Sequence, residues 1–102
     1  MQTKTLLTNA TTTQTGPWVT LEGPNSTFQV KGSTSSGAGA LTCDIEVSND
    51  GATALLAGTI TLVLGTTETS DGFTMPASWP FARAKITAIS GTGATVSASA
   101  GR

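Results

Sequence analysis

Few residues in this chain are suited to acid–base or metal chemistry. Its 102 residues include six aspartates and glutamates, one cysteine and no histidine. Three of the acids fall in Asp44-Ile45-Glu46-Val47-Ser48-Asn49-Asp50-Gly51, an oxygen-rich stretch of the sort that holds calcium in loops. Aligned on the EF-hand pattern from Glu46, it opens with Glu where the pattern has Asp, and the closing bidentate position falls on Ala57. No helical pattern flanks it. The stretch therefore reads as a strand carrying Asp44 and Glu46 on its wet face, ended by a turn at Asn49-Asp50-Gly51. At most a weak surface calcium site at Asp50 is left.

The absence of histidine removes the commonest general base and metal ligand, and with it any Ser-His-Asp or Cys-His site. Cys43 alternates with polar residues on the inward side of its strand, which predicts an inert core thiol. A zinc site needs clustered Cys and His. Asp44, Glu46, Asp50 and Asp71 remain as partners for a glycosidase-like carboxylate pair, but a chain of this length offers little room for the cleft such a pair lines. The glycine-rich stretches 32–40 and 91–94 lack the lysine and the following helix of a phosphate loop. No catalytic residue, cofactor or metal is expected.

The basic residues Lys4, Lys31, Arg83, Lys85 and Arg102 are scattered and do not interleave with aromatics, and the net charge is −1. Neither nucleic acid nor an anionic membrane is an expected partner. No run is apolar for long enough to cross a bilayer, and residues 1–13 lack the apolar core of a signal peptide. One unpaired cysteine fits folding in a reducing compartment.

The elements that must carry these residues show a period of two. Leu41, Cys43, Ile45 and Val47 alternate with Thr42, Asp44, Glu46 and Ser48, and Ile60, Leu62 and Leu64 with Thr59, Thr61 and Val63. Phe28 and Val30, Ala84 and Ile86, and Val96 mark three more half-buried strands, with a short one after Pro17. Turns are predicted at Gly23–Ser26, Ser48–Gly51, Ser70–Gly72 and Ser90–Gly93. Gly32–Ala40 reads as a flexible loop, and residues 52–58 as a helical candidate too short to stand alone. Strands starting roughly every 8–15 residues predict one all-β domain over residues 17–102, a small antiparallel β-sandwich of jelly-roll type. Residues 1–16 read as a polar N-terminal arm or an edge strand.

Charged residues make up 11% of the chain, against about 25% in an average domain. So neutral a surface offers little electrostatic protection against association. Trp18 and Trp79 each adjoin a proline and suit core-rim packing, interface anchoring or stacking on a sugar. Leu6 and Leu7, Trp18, Trp79 and Phe81 are the candidate interface residues. Trp79 with Asp71 is the candidate glycan platform.

The run of motifs GPWVTLEGPNSTFQVKG, IEVSNDG, GTITL, SDGF and WPFARAKITAISGTGATVSA resembles small virion proteins of tailed bacteriophages. The likeness covers most of the chain from Trp18 onward and lies in turn and strand grammar rather than catalytic signatures. It implies a β-sandwich, often a jelly roll, that decorates or cements the capsid or forms part of a head or tail fibre. The implied partners are the major capsid protein and copies of the chain itself, as a dimer or trimer. The implied location is the virion, assembled in the host cytoplasm.

Overall fold

The computed structural model describes residues 3–21, 26–75 and 79–101. These form nine strands: β1 (Thr3–Ala10), β2 (Gln14–Thr15), β3 (Val19–Thr20), β4 (Ser26–Ser33), β5 (Ser36–Ser48), β6 (Leu55–Leu64), β7 (Thr69–Met75), β8 (Phe81–Thr92) and β9 (Thr95–Gly101). No helix occurs among the described residues. All pairings are antiparallel. One sheet has the order β1-β9-β4-β7, the other β2-β8-β5-β6, with β3 also on β8. β2 and β3 pair with successive parts of the same side of β8, and between them the Gly16 amide donates to the Ala84 carbonyl.

The period-two pattern produces this arrangement. Along β5, Leu41, Cys43, Ile45 and Val47 are buried while Thr42, Asp44 and Glu46 keep partial contact with water. Ile60, Leu62 and Leu64 of β6, Ala84 and Ile86 of β8, and Phe28 and Val30 of β4 bury the matching faces. These side chains form one core enclosed by the two sheets. Each large side chain so buried contributes roughly 1.5–3 kcal/mol relative to exposure.

Four segments differ from the sequence reading. Gly32–Ala40 is not a loop: Gly32 and Ser33 continue β4 against Val96 and Thr95, and β5 begins at Ser36. The connection shrinks to Thr34 and Ser35. The buried Thr34 hydroxyl donates to the Gly37 carbonyl at 2.6 Å, and its amide donates to Gly65 at 2.8 Å. Small residues belong in the strand here, because a side chain at Gly39 would run into the Ser90 carbonyl. Residues 52–58 form no helix; Leu55–Gly58 open β6, where one side of the strand pairs with β5. Ser70–Gly72 is not a turn but part of β7, paired with Gln29 to Lys31 of β4. The chain reverses instead at Gly65–Glu68, between β6 and β7. The turn expected at Ser90–Gly93 falls later, because β8 runs to Thr92. The Gly23–Ser26 turn lies outside the described residues except for Ser26, which opens β4.

Thr3–Ala10 is an edge strand, paired with β9. The adjacent Leu6 and Leu7 are both buried, which strict alternation forbids. A register shift between Thr5 and Leu7 breaks the alternation and lets both enter the core.

Candidate functional site

The acid-rich stretch closes on itself. The Ser48 hydroxyl donates to Asp50 Oδ1 at 2.7 Å and accepts the amides of Asp50 and Gly51. Asp50 Oδ1 also accepts the amides of Ala52 and Thr53, each at 2.8 Å. Gly51 sits at φ 74°, where a β-carbon is strained. The amides of Thr53 and Ala52, then the Ser48 hydroxyl, hold the Asp50 carboxyl well below the usual aspartate range. These donors occupy Oδ1, while Oδ2 accepts only the Thr53 hydroxyl, at 3.3 Å.

The other two acids are engaged along the outer face of the β2-β8-β5-β6 sheet. Asp44 Oδ1 accepts the Thr59 hydroxyl at 2.8 Å. Glu46 Oε1 accepts Arg83 Nε at 2.7 Å, with both side chains mostly covered. The Arg83 guanidinium lies over the Trp18 ring, 4.3 Å from its centroid. Register explains the convergence: Glu46 is opposite Arg83 in the β5–β8 pair, and β3, directly after Trp18, runs alongside Phe81 and Ala82. The indole face that a sugar would use is therefore covered by a cation.

Cys43 is fully buried, and desolvation pushes its thiol up to about 11. Trp79 is half-buried and packs against the core. Phe81 is half-buried at the start of β8, beneath the Gly51 turn. Leu6 and Leu7 lie inside the chain's own core. The five candidate interface residues are thus not gathered into one patch. Among the described residues no group of three or more His, Cys, Asp or Glu comes together.

Two surface features emerge instead. The first is β6, on which Leu55, Leu56 and Val63 are 50%, 62% and 79% exposed. Val63 was legible in the sequence as an outward residue. Leu55 and Leu56 were hidden by the helical reading, although an uncharged, proline-free run from 55 to 64 was there to be seen. The second is a groove of about 520 Å³ on the β1-β9-β4 face, lined by hydroxyls such as Thr5, Thr8, Ser97 and Ser99 together with Lys31 and Glu68. No protein-family model, curated protein or solved structure matches the chain.

Proposed function

We propose that this chain is a non-enzymatic structural protein of a bacteriophage virion, a decoration or cement protein that binds major capsid protein subunits and copies of itself. The observation that carries the reading is the strand order. Counting β2 and β3 as one interrupted strand, the orders β1-β9-β4-β7 and β2/β3-β8-β5-β6 support a jelly-roll reading of the two sheets. That architecture recurs in viral capsid proteins and lectins. The exposed Leu55, Leu56 and Val63 of β6 support an assembly role over catalysis, because they offer apolar contact and no reactive group. In this reading the protein acts mechanically, bridging subunits and resisting the pressure of packaged DNA through apolar and backbone contacts.

Quantitative mass spectrometry of purified virions against the major capsid protein tests it. Hundreds of copies per particle are expected. Absence from the particle removes the reading.

A second reading is a head or tail fibre part that contacts host glycans, and the hydroxyl-lined groove favours it. A dozen copies per virion, with glycan-array binding lost in Lys31→Ala, would select it. Binding lost in Trp79→Ala with Lys31→Ala unaffected would return the sugar site to Trp79.

A further inference from the structure

The fold leaves four strand edges, and three of them are protected against pairing. β1 is broken by two register shifts and carries Lys4. β2 and β3 are two residues each, separated by the Gly16–Trp18 segment with Pro17. β7 carries the exposed Asp71 opposite the buried Val30, a charge at a core-side register position. Short strands, irregular pairing, lysine and inward-register charge are the usual defences of an edge.

β6 has almost none of them. Its ten residues, Leu55–Leu64, contain no charge and no proline. Its one irregularity falls between the partners of Ile45 and Glu46, leaving Gly58–Leu64 regular. Its inner side is bonded to β5 and no strand pairs with its other side among the described residues; the Val63 carbonyl accepts the Thr69 hydroxyl at 3.1 Å. Val63 beside this edge is 79% exposed.

We infer that β6 is a self-recognition edge, which pairs antiparallel with β6 of a second copy of this chain and joins two five-stranded sheets into one. Charge argues for a second copy as the occupant. In a two-fold pair residue i of one strand meets residue j of the other, so a charge near the axis would face its own copy. A neutral strand avoids that repulsion. The neighbouring charges on the sheet face are already engaged, Glu46 with Arg83 and Asp44 with Thr59. Area sets the strength. Ten residues span about 33 Å, and one sheet layer is about 10 Å deep. The edge of a single strand therefore falls below the ~800 Å² per copy of a standard interface. The pair is weak in dilute solution and strengthens where copies are crowded.

This deepens the assembly reading and rests on it. Sedimentation velocity of the purified chain, from about 1 to about 500 µM, tests it. A rise from monomer to dimer is expected, with a midpoint of about 10–100 µM. Thr61→Lys and Val63→Lys, both at exposed positions, should each raise that midpoint at least ~10-fold with an unchanged circular dichroism spectrum. Hydrogen exchange gives a second readout: alternate β6 amides gain protection with concentration in the parent chain and not in the lysine variants. A monomer throughout, or a dimer that neither lysine disturbs, overturns the inference. If such a chain still co-sediments with capsids, the assembly reading stands and only the β6 edge is lost. If Thr61→Lys abolishes capsid binding by a chain that is monomeric throughout, the occupant is the capsid protein and the second copy is overturned.

Discussion

Ser48 and Asp50 are the residues on which the acid-rich stretch turns. Ser48→Ala removes the acceptor of two amides and a donor to Asp50 from a buried position. It should destabilise the fold by about 1–2 kcal/mol, measured by urea unfolding. Asp50 adds a pH dependence. Its carboxyl titrates below its unfolded value of about 3.9, so its contribution is complete above that value and is lost as pH falls through the range beneath it. The difference in Tm between the parent chain and Asp50→Asn should be constant from neutral pH to about 5 and narrow below about 4. A difference that widened in acid would contradict the hydrogen bonds described. Cys43 offers a separate check. Fully buried, with its thiol raised to about 11, it should resist a thiol reagent at pH 8 until the chain unfolds.

Among the elements, β6 and β7 close one side of the molecule at Gly58 and Phe73. A β-carbon at Gly58 would stand 2.8 Å from the Phe73 ring, and that ring is tilted against Phe28 at 5.3 Å between centroids. Gly58→Val should cost about 1–3 kcal/mol through overpacking. Phe73→Leu should recover part of that loss in the double variant, read by thermal unfolding. The inward sides of β4, β5, β6 and β8 were legible in the sequence because alternation of apolar and polar residues is a local signal. The Ser48–Gly51 turn was legible because Ser, Asn, Asp and Gly each favour such a turn through their own backbone bonds. The strands made of Ser, Gly and Ala were not. Residues 36–40 and 70–72 have the composition of loops, and only neighbouring strands make them regular. The burial of both Leu6 and Leu7 depends on a register shift against β9, some ninety residues further along the chain. The Arg83–Trp18 stack and the Glu46–Arg83 pair likewise join residues far apart in sequence, which no local pattern reveals.

At the scale of the whole molecule, the chain presents a neutral exterior whose acids on β5 and its turn are bonded within the fold. If it binds a capsid as proposed, the contact is apolar and backbone in character and should survive high salt. Co-sedimentation with capsids in about 1 M sodium chloride should retain most of the protein, since the Debye length there is about 3 Å. Steep loss with salt would assign the binding to ion pairs.

The place of β9 has a consequence for how the molecule comes into being. The strand made last of the nine lies inside its sheet, between β1 and β4. While a ribosome still holds residues 95–101, Phe28 and Val30 lack the strand beside them, and Leu6 and Leu7 lack the one that draws them in. The emerging chain therefore waits with apolar strands uncovered until β9 has been made.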